Sequence, residues 1–359
     1  MLRDDFIARV SERCQEFLEE RHAEVTGVSA DGAPLVTSLL DLTGGGKKLR
    51  PQLAWIGWRG AGNEASEAIA LTDLGVALEL FQAAALVHDD VIDRSDTRRG
   101  QPAAHRRFED MHRRGELRGD AEHFGTTGAI LAGDLALAWA GQAFASAEVA
   151  AGTTAARGAF QQMHTEVITG QYLDVLAEVS EPAPQEAEAV RRARTVLRYK
   201  AAKYSTEYPV VLGCALAGGD APLQRAFAAA ALPAGEAFQL RDDLLGVFGD
   251  PAATGKPVGD DLREGKRTEL IAYGLFRSTP EQSRRLEGML GDPDLCENDI
   301  LTAREILDSC GAVREVERAI SALAEEAEFR SAALHEMGVS DEVLADFAQV
   351  RDRLITRTR

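Results

Sequence analysis

Apolar residues recur at spacings of three and four along nearly the whole chain, whereas the alternating pattern of strands is scarce. Val316, Ile320 and Leu323 form one such stripe, which is typical of a helix with one buried face. Clusters of Gly and Pro divide the chain into roughly a dozen predicted helices, and none of these breaks is long enough for a domain linker. We therefore predict an all-α fold that spans 1–359 as a single domain, with a charged surface insertion near 106–122.

The composition limits the partners that the protein can have. Of its 359 residues 45% are hydrophobic, and its net charge is −18 because 58 Asp and Glu outnumber 40 Lys and Arg. This charge disfavours sequence-independent binding to nucleic acid or to an anionic membrane surface. The cysteines lack metal-ligand spacing, and no uncharged apolar run reaches the ~18 residues of a membrane span. With no signal-peptide pattern at the N-terminus, we expect a cytoplasmic protein that spans no membrane.

Two similar acidic clusters follow long apolar helical segments. Asp89, Asp90 and Asp93 form the first cluster, and Asp242 and Asp243 form the second. Because residues i and i+4 share a helix face, Asp89 and Asp93 should project together with Asp90 beside them. Grouped carboxylates repel one another and need cations, and oxygen ligands without Cys or His suit Mg²⁺ that bridges to phosphates. Basic residues follow each cluster, so the pair predicts a metal–diphosphate site, although either cluster alone would also fit a solvated acidic face.

A glycine-rich segment, GGGKKLRP at 44–51, is a second candidate for phosphate binding. It is not a nucleotide-binding P-loop, because Asp41 occupies the position of the first glycine and Lys48 replaces the hydroxyl residue. The glycines could instead present Lys47 and Arg50 to another anionic substrate. A solvated helix start is the simpler alternative.

Seven short motifs occur in a fixed order along the chain. They are GGKKLRP at 45–51, LVHDDVID at 86–93, RRGQP at 98–102, AILAGD at 129–134, GQ at 170–171, FQLRDD at 238–243 and GKRT at 265–268. With this set the chain resembles the trans-isoprenyl diphosphate synthases of the polyprenyl synthetase family, most of all bacterial geranylgeranyl diphosphate synthases. The resemblance implies a homodimeric enzyme whose helices surround a deep central cavity.

The resemblance also implies a role for each matching residue. Magnesium, about three ions per active site, would be bound by Asp89, Asp90, Asp93, Asp242 and Asp243. The allylic diphosphate would be contacted by Arg98, Lys200, Gln239, Lys256 and Lys266, of which Lys200 and Gln239 are also assigned to catalysis. The isopentenyl diphosphate pocket would be formed by Lys47, Arg50, Gln82 and Arg99. Gln171 would lie over the reacting hydrocarbon chains.

Two positions depart from the family pattern. Gly246 stands where the second cluster commonly has a third Asp, and Asp250, one turn further on, is a candidate substitute. Ala201 replaces the hydroxyl residue that often follows the lysine equivalent to Lys200. We expect weaker binding of the third ion but not a loss of activity. His88, next to the first cluster, is interpreted as a packed or hydrogen-bonded structural residue.

Small residues before the first cluster bear on product length. Ala84 and Ala85 lie one helical turn, about 5–6 Å, below Asp89, and bulky residues there stop family members at short products. With Phe81 as part of the floor, this pattern favours geranylgeranyl diphosphate, and farnesyl or longer polyprenyl diphosphates are the alternatives. Alanines that only allow close helix packing would explain the same residues. The implied reaction is Mg²⁺-dependent ionisation of an allylic diphosphate, attack by isopentenyl diphosphate and loss of a proton.

Two other functions fit parts of the sequence. A class I terpene cyclase also uses an aspartate-rich helix, and NDILTARE at 298–305 nearly copies its second metal motif. Its glutamate comes one residue early, however, and a cyclase has no need of Lys47 and Arg50. A non-catalytic partner subunit would have no reason to keep buried carboxylates that repel one another. The sequence therefore favours a prenyltransferase.

Overall fold

The computed structural model describes residues 3–63, 69–249 and 259–356. Nearly all of them are helical, and the only strands among them are Thr97–Arg98 (β1) and Gln101–Pro102 (β2), which pair as an antiparallel hairpin. The predicted all-α fold is confirmed. The chain divides into two compact units, Met1–Ala156 with Pro209–Ala221 and Arg157–Tyr208 with Pro222–Arg359.

The helices have the following bounds. In chain order they are α1 (Arg3–Val28), α2 (Ala33–Thr43), α3 (Leu49–Gly60), α4 (Ile69–Ile92), α5 (Ala104–Arg114), α6 (Ala121–Ala151), α7 (Arg157–Val179), α8 (Glu186–Val196), α9 (Tyr208–Leu216), α10 (Ala221–Phe248), α11 (Asp260–Glu264), α12 (Glu269–Arg277), α13 (Pro280–Glu287), α14 (Glu297–Ser309), α15 (Ala312–Glu336) and α16 (Asp341–Ile355). A 3-10 helix, Ala30–Gly32, precedes α2, and a π-helix, Leu197–Glu207, joins α8 to α9.

The first unit is built around α4, which is apolar on nearly every face and largely buried. It packs against α1, α3 and α6. Gly57 in α3 and Gly213 in α9 allow those two helices to touch, because a methyl group at either position would collide with a backbone carbonyl of the other helix. This packing fixes the direction in which the C-terminal end of α4 presents its acidic residues.

The second unit has its own apolar core. Leu240 and Leu244 of α10 pack there with Ile306 of α14 and with Val316 and Ile320 of α15. The predicted amphipathic stripe of α15 is thus confirmed as a core face. The α10 helix therefore rests on α14 and α15, and this support sets the position of the second acidic cluster.

The segment 106–122, predicted as a charged surface insertion, consists of most of α5, the turn that follows it and the start of α6. One face of α5 is buried against α6 through Phe108, Glu109 and His112, and the turn at 115–120 is exposed. Charge and burial coexist here because the long side chains of Arg106 and Arg113 pair with Glu109.

Within the described parts of the chain two helices, α4 and α6, are long and apolar enough to cross a membrane by length and composition alone. Within the protein 72% of the apolar window of α4 is buried, as in the core helix of a globular unit. The corresponding share for α6 is 44%, and Ile130, Leu131 and Val149 are exposed on this helix.

Candidate active site

The first acidic cluster lies in the last turns of α4 and is held by the hairpin that follows. Arg98 in β1 donates from Nε to Asp90 Oδ1 at 2.8 Å and from Nη2 to Asp89 Oδ2 at 3.2 Å. Asp90 is only 2% exposed, whereas Asp89 and Asp93 are partly accessible on one helix face. Arg98 therefore bridges Asp89 and Asp90, while Asp89 and Asp93 share one partly accessible face of the helix.

His88 connects the acidic end of α4 to α6. Its Nε2 lies 3.2 Å from the carbonyl oxygen of Ile130 and 3.5 Å from a carboxylate oxygen of Asp134. The imidazole occupies the space above Gly133, where any side chain would collide with it. These contacts are those of a structural histidine that joins two helices.

Residues 44–48, called here the glycine loop, connect α2 to α3 and lie against Arg99. A side chain at Gly46 would approach the Arg99 guanidinium to 2.9 Å, and Arg99 Nη1 donates to the carbonyl oxygen of Leu42 at 3.0 Å. Burial lowers the pKa of Arg99, and the nearby charges of Arg98 and Arg50 lower it further. The predicted residues Arg50 and Arg99 thus form one cationic group, which favours the binding of an anion.

Lys200 lies in the π-helix, close to α7. Its Nζ donates to Asp174 Oδ2 at 2.6 Å, and the Asp174 side chain is almost fully buried. The two helices approach closely because Gly170 has no side chain to collide with the backbone of Lys200. Sequence analysis missed Asp174, although its position three residues after Gln171 would have placed both side chains on one face of α7.

The second acidic cluster lies in the penultimate turn of α10, where Gln239 donates to Asp243 at 3.2 Å. A carboxylate that sequence analysis did not consider, that of Asp261 on α11, lies beside it. Burial raises the pKa of Asp243 to about 8, and the negative charge of Asp261 contributes to this rise. Lys266 Nζ is 3.8 Å from Asp261 Oδ1, so the predicted diphosphate-binding lysine belongs to the same group.

The position of Asp261 explains why residue 246 is a glycine. A Cβ atom at position 246 would collide with the Asp261 carboxylate. The carboxylate of α11 therefore occupies the space beside Gly246, where a longer side chain would stand. Asp250 and Lys256, the other residues predicted for this part of the site, lie outside the described residues.

The carboxylate side chains suit a magnesium ion that takes some of its ligands from a substrate. Among the described residues no three carboxylate, imidazole or thiol side chains converge on one ion position. Asp89 and Asp93 share one face of α4, and Asp243 lies near the charges of Asp242 and Asp261. Such a donor set fits Mg²⁺, which usually keeps water ligands and is completed by phosphate oxygens.

The predicted determinants of chain length differ in exposure. Ala84 and Phe81 are 1% and 2% exposed, whereas Ala85 is partly accessible. Ala85 lies on the same face of α4 as Gln82 and Asp89, three residues before and four residues after it. A side chain at position 85 therefore points along the face that carries the acidic cluster, and one at position 84 points into the packed interior.

Comparisons with known proteins identify the family of the chain. The polyprenyl synthetase family model matches residues 34–307. The chain is 32% identical to geranylfarnesyl diphosphate synthase of Aeropyrum pernix over 282 residues, which are 77% of this chain and 80% of that protein. It is also 32% identical to (2E,6E)-farnesyl diphosphate synthase of Mycobacterium tuberculosis over 273 residues, covering 75% of this chain and 68% of that protein.

A solved structure extends the likeness to the whole chain. Geranylgeranyl pyrophosphate synthase from Corynebacterium glutamicum, complexed with isoprenyl diphosphate and magnesium, is 39% identical to this chain. Its TM-score is 0.91, and the superposition covers 99% of this chain and 100% of that one. The chain therefore belongs to the polyprenyl synthetase family, and it is an all-α enzyme of the trans-prenyltransferase class.

Proposed function

We propose that this protein condenses isopentenyl diphosphate head to tail with an allylic diphosphate and releases geranylgeranyl diphosphate as its main product. The β1–β2 hairpin provides the observation that carries the proposal. Arg98 binds Asp89 and Asp90, whereas the next residue, Arg99, lies on the glycine loop. Adjacent cations thus serve two anion-binding regions, as a reaction between two diphosphates requires.

The side chains fit the electrostatic demands of this reaction. An allylic diphosphate is a poor electrophile until the bond between its carbon 1 and the diphosphate breaks. Cations fixed around the departing group favour this step, because they stabilise the negative charge that develops on it. The family resemblance implies this task for Arg98, Lys200 and Lys266, and Asp174 would orient Lys200 through the 2.6 Å contact.

The second substrate would be held at the glycine loop. Lys47, Arg50 and Arg99 bind its diphosphate and orient the double bond of isopentenyl diphosphate towards carbon 1 of the allylic substrate. Binding both substrates in one orientation removes much of the entropic barrier to their encounter. The proton that is lost after attack passes to the released diphosphate, so no basic side chain is required.

Magnesium is the cofactor that best fits the two acidic clusters. Asp89, Asp90, Asp93, Asp242 and Asp243 would hold the ions, and the ions would supply electrostatic stabilisation of the leaving diphosphate. We propose about three ions per site, with Asp261 supplying a carboxylate near the position where Gly246 lacks one. The relative from Corynebacterium glutamicum was crystallised with magnesium and isoprenyl diphosphate, which supports this choice.

Product length is the finer part of the proposal. The relatives include a geranylfarnesyl and a farnesyl diphosphate synthase, so family membership alone leaves the number of condensations open. The small side chain of Ala85 on the accessible face of α4 favours growth beyond farnesyl diphosphate. Farnesyl and longer polyprenyl diphosphates are the alternative products.

The active form is proposed to be a cytoplasmic homodimer. Ile130, Leu131 and Val149 are exposed along α6, which is 31 residues long. Apolar side chains spaced along one long helix favour burial against a second copy of the same helix. The free cysteines of the described residues fit a reducing compartment.

One incubation tests the proposal. Purified protein is mixed with isopentenyl diphosphate, farnesyl diphosphate and Mg²⁺, and the products are identified by mass spectrometry after removal of the phosphates. We expect geranylgeraniol, and no product when EDTA replaces Mg²⁺. Cyclic hydrocarbons would indicate a cyclase, and activity only after addition of another protein would indicate a partner subunit. Undiminished turnover by the double variant Asp89→Ala, Asp90→Ala would contradict the assignment of the first cluster.

A further inference from the structure

Lys48 belongs to the cationic motif of the glycine loop but points into the protein. It is 5% exposed, and its Nζ donates to Glu79 Oε2 at 2.8 Å and to the carbonyl oxygen of Thr43 at 2.5 Å. Glu79 lies on α4 and is itself 8% exposed. The charge of Lys48 is thus neutralised inside the first unit and is not offered to a substrate, in contrast to what its place in the motif suggests.

Three side chains hold the backbone of the glycine loop and its flanks. Arg99 binds the carbonyl oxygen of Leu42, Lys48 binds that of Thr43, and Gln52 Nε2 binds that of Lys47 at 2.6 Å. A connection of this kind has no ladder of secondary-structure hydrogen bonds to fix its shape. The shape of the loop therefore depends on these contacts, and Lys48 is the one that ties it to the buried helix α4.

The loop also adopts a backbone that needs such support. Gly46 has a φ of +91° and Lys48 a φ of +49°, both in the left-handed region. A residue with a Cβ atom is unfavourable there and persists when surrounding contacts determine its conformation. The buried ion pair with Glu79 and the bond to Thr43 are the contacts that determine it at Lys48.

We infer that Lys48 and Glu79 are positioning residues, which hold the glycine loop in the shape that presents Lys47 and Arg50 to the diphosphate of the isopentenyl substrate. The inference rests on the proposed function for the identity of that substrate. A loop that is ordered before binding loses less conformational entropy when the anion arrives, which favours affinity. The pair should therefore affect one substrate and leave the allylic one unaffected.

The test uses a variant that removes both charges together. Replacing both members of a buried ion pair by apolar residues of similar size usually preserves stability, whereas removing one leaves the other uncompensated. For Lys48→Met, Glu79→Leu we expect a melting temperature near that of the parent and a KM for isopentenyl diphosphate raised about 10-fold or more, the scale of losing a preorganised contact. The KM for the allylic diphosphate should remain within about 2-fold of the parent value.

A second measurement does not depend on activity. Trypsin cleaves exposed, mobile segments, and Lys47 is present in the parent and in the double variant. We expect cleavage after Lys47 at least about 10-fold faster in the double variant under native conditions. Arg277→Met, Glu186→Leu removes a partly exposed ion pair of the second unit, which has a 2.7 Å contact and in which Arg277 also contacts Glu315. This control for the loss of an ion pair elsewhere should change neither cleavage nor either KM.

The outcomes separate this inference from the proposed function. The inference is wrong if the folded double variant is cleaved after Lys47 at the same rate as the parent, or if both KM values rise equally. If the double variant does not fold, Lys48→Arg and Glu79→Gln replace it, since the first keeps the ion pair and the second keeps only a neutral acceptor. Slow cleavage in Lys48→Arg and fast cleavage in Glu79→Gln support the inference, and the reverse order contradicts it. Failure of the proposed function would show instead as a parent protein that makes no prenyl product.

Discussion

The substitution Asp261→Asn should stabilise the protein without magnesium and weaken its response to magnesium. Burial and the charge of Asp261 together raise the pKa of Asp243 from 3.8 to about 8. A rise of this size corresponds to roughly 5–6 kcal/mol of cost for ionising Asp243 in the folded state. Burial is the larger cause and Asp261 the second, and a shift of about one pKa unit from a neighbouring like charge corresponds to about 1–2 kcal/mol. Asparagine keeps the shape of the side chain and removes this repulsion.

The substitution should change the response of stability to a cation as well. At pH 8 in EDTA, Asp261→Asn should raise the free energy of unfolding by about 1–2 kcal/mol, because Asp243 then ionises beside a neutral neighbour. With Mg²⁺ and inorganic pyrophosphate, the parent should gain more stability than the variant, since its two carboxylates attract the ion more strongly than one. Urea unfolding under both conditions measures the two changes.

One control variant and two refuting outcomes make this prediction decisive. Asp308→Asn removes an exposed carboxylate on α14 and should change stability by less than about 0.5 kcal/mol under either condition. If Asp261→Asn is no more stable than the parent in EDTA, the repulsion between Asp243 and Asp261 is not significant. If the gain from Mg²⁺ and pyrophosphate is unchanged, Asp261 does not serve the cation.

Three further predictions concern the product, acid stability and helix packing. Ala85→Phe should shift the product towards farnesyl diphosphate, whereas Ala84→Phe should lower stability by about 1–3 kcal/mol through overpacking. Mass spectrometry measures the first effect and urea unfolding the second. Identical product distributions in both variants would contradict the difference in exposure. Burial lowers the pKa of His164 from 6.5 to about 4, so the unfolded state binds the proton first and stability falls between these pH values, by up to about 3 kcal/mol. His164→Leu should flatten that decline in pH-dependent unfolding, and an unchanged slope would refute the assignment. Gly57→Ala should lower the free energy of unfolding by more than about 1 kcal/mol because α3 and α9 must separate. Gly158→Ala, at a position with open space around it, should leave this free energy unchanged. Equal melting temperatures of the two variants would refute the close contact.

Much of the site was determined by the sequence, because the motifs carry their own local geometry. The i, i+4 spacing of Asp89 and Asp93 fixes their shared face on any helix, and the fold class follows from apolar periodicity over most of the chain. The family roles of Arg98 and Arg99 could be assigned from the order of the motifs alone. That one arginine turns to the aspartates and the next to the glycine loop depends on the hairpin and on a left-handed backbone at Arg99 (φ +55°).

Only the tertiary structure decided how residues far apart in sequence share charge and space. The sequence does not indicate that the carboxylate of Asp261 lies against Gly246. Contacts between helices are set by packing, and the number of residues between two positions does not predict them. The sequence assigns no role to Lys48, and only the folded chain shows that it pairs with Glu79 on another helix. The sequence specifies which groups carry charge, whereas burial and neighbouring charges, which exist only after folding, decide whether that charge is offered to a substrate or neutralised inside the protein.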